Sequence, residues 1–157
     1  MDSCLSEFFT EATIPYVPAM ISPYTGKQMS EQGYFCRNCR TKRKATKLFK
    51  MASLPHILII VFKRFDKAAK IDTNVAFSLE LNMAQYSDEK GPAAYYLEGI
   101  VEHSGGVRGG HYMAHVKEGT KWWLCNDGTV LPNQSNEVQN MAKNGGGAPY
   151  LLFYVRK

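Results

Sequence analysis

Two short stretches of the chain carry side chains that could transfer a proton together. The first is Gly109-Gly110-His111-Tyr112, and the second is Asn126-Asp127. A histidine at the end of a glycine-rich stretch can act as a general base, and a later Asn or Asp can hold its ring in one tautomer. Taken singly, these would be a strand-end histidine and a turn. Together they predict a catalytic site with His111 as base, Asn126 as its orienting partner and Asp127 beside them.

A general base needs a nucleophile to activate, and the sequence offers no convincing one. The four cysteines lie at positions 4, 36, 39 and 125. Cys4 precedes a predicted helix, where the N-terminal dipole would lower a thiol pKa, so it stays open as a candidate. Alternation along a strand turns Cys125 away from Asn126, and we expect it to be a small core residue.

Two predicted strands joined by a tight turn should bring the histidine and the asparagine together. Strands are expected at 112–116 and 122–125, on either side of the turn Glu118-Gly119-Thr120. Antiparallel pairing of 111–117 with 121–126 would place Asn126 beside His111. The glycines before the histidine predict a bending loop that ends where the strand begins, at Tyr112.

The remaining elements follow from hydrophobic periodicity and from turn residues. Ile57 to Phe62 is a continuous β-branched and aromatic run, which predicts a strand buried on both faces. The other expected elements are strands at 95–102 and 150–155, an exposed strand at 46–51, helices at 4–12 and 134–143, an irregular loop at 13–30 and a glycine turn at 145–147. Because the connections between strands are short, we expect an α+β fold with a mainly antiparallel sheet.

Composition limits the class of protein. The chain has 157 residues with 45% hydrophobic content, enough for the core of one domain. No apolar run is long enough to span a bilayer, and residues 1–3 do not begin a signal peptide. Of the cysteines, only Cys36 and Cys39 are closely spaced, which favours a reducing, intracellular compartment over a disulfide framework.

Positive charge is concentrated in one segment. The chain carries a net charge of +5, and many of its basic residues fall between positions 37 and 50. They are Arg37, Arg40, Lys42, Arg43, Lys44, Lys47 and Lys50. Such a run could attract phosphate, but no aromatic stacking platform recurs beside it in the sequence. We therefore expect a solvated edge and no nucleic-acid partner.

Several motifs, in one order along nearly the whole chain, resemble the ubiquitin-specific proteases, the papain-like deubiquitinases. The matching stretches are Tyr34-Phe35-Cys36-Arg37-Asn38-Cys39, Leu54-Pro55-His56-Ile57 through Phe62-Lys63-Arg64-Phe65, Phe77-Ser78-Leu79-Glu80-Leu81-Asn82-Met83, His103-Ser104-Gly105 through Gly109-Gly110-His111-Tyr112, Trp122 with Cys125-Asn126-Asp127, and Tyr150-Leu151-Leu152-Phe153-Tyr154. The third stretch departs from the family pattern by Ser for Pro, Asn for Asp and Met for Leu, and Cys125 stands where the family has Phe.

The resemblance implies a papain-like fold, with residues 27–53 a remnant of the fingers and 54–157 the palm carrying the histidine box. It implies ubiquitin and ubiquitin conjugates as partners, and no required cofactor. A loop that moves when the ubiquitin tail enters would contact the tail's terminal glycines. Its residues would be Ser104, Gly105, Gly106, Gly109, Gly110 and Tyr112.

Two family features are absent from the sequence: the Asn-x-Cys box that carries the nucleophile, and the first Cys-x-x-Cys pair of the fingers. The chain therefore resembles an incomplete catalytic domain that lacks the cysteine-bearing thumb and would need the N-terminal half as partner. Cys36 and Cys39 supply only half of a tetrahedral zinc site, which another chain would have to complete, and otherwise form a metal-free turn.

Two further expectations follow from an incomplete domain. One alternative function stays open, namely a non-catalytic module that binds ubiquitin or another partner. Surface that once met the missing half would be exposed, with Leu5, Phe8, Phe9 and one face of the strand at 57–62 as candidates. Exposed apolar surface of this kind favours self-association, so we predict a homo-oligomer.

Overall fold

The computed structural model describes residues 2–16, 18, 20–21, 28–66, 69–133, 136–144 and 148–157. The chain divides into two compact units, one of Leu5–Lys50 and one of Met1–Cys4 with Met51–Lys157. Within the described ranges, no helix has both the length and the apolar character needed to cross a membrane.

The described residues form two α-helices, a short 3₁₀ helix and thirteen strands. In chain order they are α1 Asp2–Phe9, β1 Ala12–Ile14, β2 Met20–Ile21, β3 Gln28–Met29, β4 Tyr34–Cys36, β5 Thr41–Arg43, β6 Ala45–Lys47, β7 Ile57–Val61, β8 Glu80–Asn82, the 3₁₀ helix Ala84–Tyr86, β9 Ala94–Gly106, β10 Gly109–Glu118, β11 Lys121–Asn126, β12 Thr129–Pro132, α2 Glu137–Asn144 and β13 Pro149–Arg156.

The larger unit is built on one antiparallel sheet in the order β12-β11-β10-β9-β13-β7, with β8 beside the first part of β9. Four strands, β9 to β12, follow one another as hairpins, and the last strand, β13, lies between β9 and β7. The expectation of a mainly antiparallel sheet is confirmed, because every pair of neighbouring strands in it runs antiparallel.

One face of this sheet carries the hydrophobic core. Tyr95, Leu152 and Tyr154 are completely buried, and Leu97 and Ile100 nearly so. The amphipathic helix α2 adds the buried residues Val138, Met141 and Ala142. Burying each such aliphatic or aromatic side chain contributes about 1.5–3 kcal/mol, so this face dominates the stability of the unit.

The opposite face is apolar and solvent-exposed. On β7, Ile57, Ile59 and Val61 are each about half exposed (52%, 50% and 51%). Phe153 pairs with Ile59 on this face and lies over Gly99. The prediction that this strand is buried on both faces is therefore wrong, because β7 lies at the edge of the sheet and nothing in the described residues covers its outer face.

The structure also corrects several element boundaries. The helix expected at 4–12 is α1, which ends at Phe9, and the helix expected at 134–143 is α2, although 134–135 lie outside the described residues. Strand pairing of β1 with β6, and of β2 with β3, interrupts the segment predicted as an irregular loop at 13–30. The exposed strand predicted at 46–51 shrinks to β6. The turn predicted at 145–147 lies outside the described residues.

Two strands of the larger unit's sheet have no counterpart among the predicted elements. β12 directly follows the turn after Asn126. β8 lies within the stretch from Phe77 to Met83, which matched a family motif but was not predicted to be a strand. Both are short, with four and three residues, and contain Pro132 or Asn82, which are uncommon in strands. Hairpin and edge pairing, rather than local propensity, therefore forms them.

The smaller unit consists of short strand pairs. β4 pairs with β5 around a turn at 37–40, and β1 pairs with β6. Phe8 stacks on Phe49 with ring centroids 5.4 Å apart, which links α1 to the segment after β6 within this unit. Its core is small, since Tyr34 and Phe35 on β4 are both more than half exposed.

Candidate active site

The hairpin of β10 and β11 brings His111 and Asn126 together, although in a different register from the predicted pairing of 111–117 with 121–126. The paired residues run from Glu118 opposite Lys121 to Ala114 opposite Cys125, so His111 and Asn126 both lie just beyond the paired segment and meet through their side chains. The Nε2 atom of His111 lies 2.5 Å from Oδ1 of Asn126. Because an amide oxygen can only accept, Nε2 carries the proton in this bond, and Nδ1 of the neutral ring keeps its lone pair. The exposed His111 ring can therefore take a proton at Nδ1 from an incoming group.

Asp127 occupies the tight turn that follows. Asn126 pairs with Thr129, so Asp127 and Gly128 form a two-residue connection between β11 and β12. Asp127 has a φ of 49°, in the left-handed region that Asp tolerates better than most residues. Its backbone therefore ends β11 directly after Asn126.

The glycine segment before the histidine is a hairpin and not an open loop. β9 continues to Gly106 and β10 begins at Gly109, so only Val107 and Arg108 lie in the turn. His111 pairs with Ser104 across the two strands. The expectation that the strand begins at Tyr112 is wrong because the glycines themselves pair across the hairpin.

Two of the glycines are required by packing within the chain. A Cβ at Gly110 would overlap Nε2 of His103 and the carbonyl oxygen of Ser104. Gly105 has a φ of +108°, and a Cβ there would lie 2.7 Å from the Cα of Gly110. At Gly109, in contrast, no neighbouring atom lies within 4 Å of an added Cβ, and the same is true of Gly106.

A cluster of aromatic rings supports the strand that carries His111. The rings of His103 and Tyr112 lie 4.6 Å apart, and Phe65 packs edge-on against both His103 and Tyr150. His103 is buried, and Lys70 donates to its carbonyl oxygen over 2.8 Å. His103 belongs to the motif that resembles the family's histidine box, but the sequence indicated no role for it. Because its ring packs against Gly110 and the neighbouring aromatic rings, its role in this structure is to support the strand.

A buried polar network lies further along the same strand. His115 Nε2 lies 2.8 Å from Glu102 Oε2, and Nδ2 of Asn133 lies 2.8 Å from His115 Nδ1. The second carboxylate oxygen of Glu102 accepts from the backbone N–H of Ala148. Burial by itself lowers the pKa of His115, but the hydrogen bond and negative charge of Glu102 together outweigh it and raise the pKa above its usual value. None of these partners is evident from the pattern of the sequence.

The four cysteines lie in three settings, and no described thiol is a hydrogen-bond partner of His111. Cys4 is exposed within α1. Cys125 is half-buried and lines an apolar groove with Val116, Trp123 and Val130, so it is not the core residue expected. The groove is on the uncovered face of the sheet, where Cys125 points because it alternates with Asn126.

Cys36 and Cys39 flank the turn between β4 and β5. Hydrogen bonds from Thr41 Oγ1, 3.1 Å away, and from Cys36 lower the pKa of the Cys39 thiol to about 6. A tetrahedral zinc site needs four ligands. Among the described residues, no cluster of three or more His, Cys, Asp or Glu side chains could hold a metal ion. The residues present therefore do not fit a complete zinc site.

Comparison with known proteins places this arrangement in a family. Residues 20–154 match the family model described as "Ubiquitin carboxyl-terminal hydrolase". The chain is 34% identical over 137 residues to human ubiquitin carboxyl-terminal hydrolase 15, covering 82% of this chain and 13% of that protein. It is 30% identical over 165 residues to ubiquitin carboxyl-terminal hydrolase 5 of Arabidopsis thaliana, covering 99% of this chain and 16% of that protein.

A solved structure shows the same fold. The SAGA Ubp8/Sgf11/Sus1/Sgf73 DUB module bound to ubiquitin aldehyde contains a chain that superposes with a TM-score of 0.73 and 30% identity. The match covers all of this chain and 33% of that chain, so the sequence spans about a third of its length. The mainly antiparallel sheet thus has the papain-like architecture of ubiquitin-specific proteases. The chain belongs to the ubiquitin carboxyl-terminal hydrolase family and corresponds to a region of its catalytic domain.

Proposed function

We propose that this chain supplies the proton-transfer half of a thiol deubiquitinase, with His111 as general base and Asn126 as its orienting partner. The observation that carries the proposal is the 2.5 Å contact from His111 Nε2 to Asn126 Oδ1, which leaves Nδ1 unprotonated on an exposed ring. This is the arrangement a thiol needs beside it, because loss of its proton to the imidazole creates the nucleophilic thiolate.

In the proposed reaction, the thiol belongs to the rest of the catalytic domain. It gives its proton to His111 Nδ1 and attacks the carbonyl carbon of the last ubiquitin glycine. The lysine amine then leaves with the proton that His111 held, and a thioester remains. Water attacks the thioester, His111 takes a proton from that water, and the thiol is regenerated as ubiquitin departs. Asn126 keeps the ring oriented through each transfer.

The glycine hairpin is the proposed site for the ubiquitin tail, through Ser104, Gly105, Gly106, Gly109, Gly110 and Tyr112. Gly105 and Gly110 are explained by packing, whereas Gly106 and Gly109 face open space where a Cβ would point. Absence of side chains at these two positions leaves room for another backbone to approach closely. The glycines that end ubiquitin fit such a surface.

A thiol-reactive ubiquitin probe tests where the nucleophile lies. The purified chain is incubated with ubiquitin carrying a C-terminal electrophile, and adducts are located by mass spectrometry. We expect no adduct and no hydrolysis of a ubiquitin–coumarin substrate. Labelling of Cys4 that disappears in Cys4→Ala would show that the chain holds its own nucleophile and would overturn the proposal.

The pairing of base and partner can be tested in the same chain without a nucleophile. Imidazole ¹⁵N spectra of the wild type should show His111 as the tautomer protonated at Nε2. In Asn126→Ala that preference should disappear, whereas Asp127→Asn, which keeps the turn, should retain it. If Asp127→Asn changed the tautomer and Asn126→Ala did not, the assigned roles would be wrong.

The alternative is a non-catalytic module that binds ubiquitin. Both functions predict ubiquitin binding, so binding alone does not separate them. An intact base and partner are needed only for catalysis. Supplying the missing half of the domain in trans should restore hydrolysis that His111→Ala abolishes. Ubiquitin binding without any restored hydrolysis would favour the binding module.

A further inference from the structure

The basic segment of the smaller unit forms a groove that sequence analysis did not anticipate. Tyr16, Glu31 and Thr41 line it together with three consecutive cations, Lys42, Arg43 and Lys44. Its volume is about 570 Å³, within the size range of small-ligand sites. All of these residues lie within the unit Leu5–Lys50.

Charge around the groove is predominantly positive, and Glu31 is the single acidic residue among the described residues that line it. Residues 33–50 contain the seven basic residues of the run from Arg37 to Lys50 and no Asp or Glu. Those seven charges exceed the net charge of the entire chain, which is +5. All except Lys42 are exposed. A surface of this kind attracts polyanions and releases their counterions on binding.

An exposed aromatic ring at the groove, that of Tyr16, supplies a stacking surface that the sequence did not reveal. Tyr16 is 43% exposed at the groove, and its hydroxyl donates to Glu31 Oε1 over 2.8 Å, which fixes the ring. On the neighbouring hairpin, Tyr34 pairs with Arg43 and Phe35 with Lys42, with exposed fractions of 54% and 52%. Each ring of the hairpin thus lies opposite a cation.

The local structure holds the groove open. Gly33 has a φ of +142°, and a Cβ there would lie 3.1 Å from the Arg43 carbonyl and 3.2 Å from the Tyr16 ring. Lys42 Nζ donates a hydrogen bond to the carbonyl oxygen of Glu31, which connects β5 to the segment that contains Glu31. Arg43 Nε donates to Thr41 Oγ1 over 3.2 Å and is thereby oriented.

We propose that this groove binds single-stranded nucleic acid, with a base stacked on Tyr16 and phosphates held by Arg43 and Lys44. An acidic polypeptide would satisfy the charges, but a carboxylate has no aromatic face to stack on the Tyr16 ring that lines the groove. Bases provide such faces and stack on aromatic side chains regardless of sequence. The combination of an exposed ring and cations in one groove therefore favours nucleic acid. The inference is independent of the proposed hydrolase function.

Fluorescence anisotropy with labelled ten-nucleotide oligo-dT and oligo-U, using the whole chain, tests the proposal. Binding should weaken as salt rises from 50 to 200 mM. The double variant Arg43→Gln/Lys44→Gln should lower the slope of log affinity against log salt by about 1.4, since each phosphate contact on a single strand contributes about 0.7. The control Lys121→Gln/Lys143→Gln removes the same charge from the larger unit and should leave the slope unchanged.

Stacking is tested by substituting the tyrosine. Tyr16→Leu should weaken binding roughly five- to a hundredfold, the range expected for loss of one base–aromatic stack. Tyr16→Phe keeps the ring and should bind within about threefold of the wild type. Binding of either oligonucleotide with this pattern supports the proposal.

Three outcomes would overturn it: no binding at 50 mM salt, equal affinity of Tyr16→Leu and wild type, or displacement by polyglutamate as effective as displacement by unlabelled oligonucleotide. The last would identify a general site for acidic polypeptides. Circular dichroism of each variant establishes that the unit is still folded.

Discussion

At the residue scale, two glycines of the hairpin are required by packing, and two others face open space. Gly110 lies against the buried ring of His103 and directly precedes His111, the proposed base. At Gly109, the adjacent residue, an added Cβ would meet no neighbouring atom within 4 Å. Adjacent residues of the same type therefore lie in different environments, which the sequence could not distinguish.

Gly110→Ala should destabilise the chain by about 2 kcal/mol or more, because the added methyl overlaps His103 and the Ser104 carbonyl and the backbone must shift. The measurement is the free energy of unfolding in urea, together with the tautomer of His111. Gly109→Ala is the matched control and should change stability by about 0.5 kcal/mol or less. Equal losses in the two variants would show that the overlap at Gly110 relaxes freely.

At the element scale, the network of Glu102, His115 and Asn133 fastens β9 and β10 to the segment after β12. His115 is 1% exposed, and a buried polar residue contributes favourably only when its partners are present. β10 also carries His111, and β11, which lies between β10 and β12, carries Asn126. The network therefore stabilises the register on which the site depends.

The raised pKa of His115 makes this contribution depend on pH. The pKa of His115 in the folded protein lies above its unfolded value of about 6.5. The stability that the protonated His115 contributes is therefore fully present below about pH 6.5 and is lost as the pH rises through the folded pKa. His115→Leu should cost about 3 kcal/mol, since it leaves Glu102 and Asn133 unpaired. The difference in the free energy of unfolding between wild type and variant, measured in urea, should be larger at pH 6 than at pH 9. His56→Gln, at an exposed histidine, serves as control, and a difference that is the same at both pH values would contradict the assignment.

The hairpin of β10 and β11 could be predicted from sequence, whereas the edge position of β7 could not. A turn at Gly119 and alternation on either side specify a local pairing and so bring Asn126 to His111. The run from Ile57 to Phe62 is equally apolar on both faces, and whether each face is covered depends on distant chain. The partners of His115 were missed for the same reason, because burial of a single histidine leaves no periodic pattern.

At the scale of the whole molecule, the uncovered face of the sheet dominates the behaviour of the chain in solution. Ile57, Ile59, Val61, Val116 and Val130 are each between 44% and 58% exposed. A contiguous apolar surface across several strands is uncommon on a stable monomer. We expect copies of the chain to associate through it unless another polypeptide covers it.

Ile59→Lys should weaken self-association at least tenfold without loss of stability, because the side chain is half exposed and lies on an edge strand. Sedimentation velocity over a wide concentration range measures the effect. Ile71→Lys makes the same change at an exposed isoleucine outside the sheet strands and should leave association unaltered. A wild-type chain that sediments as a monomer at every concentration would contradict the prediction.

The order of strands in the sheet also sets the order in which the chain can fold. Each strand from β9 to β12 pairs with the next one along the chain, so this meander can form by local contacts once residue 132 is available, whereas the pairing of β9 with β13 comes later. β7 pairs, among the described strands, with β13 alone, which is the last of these strands to be synthesised. During synthesis, His111 and Asn126 can therefore meet while β7 remains unpaired, and the interval before β13 arrives is when the nascent chain is most exposed to aggregation.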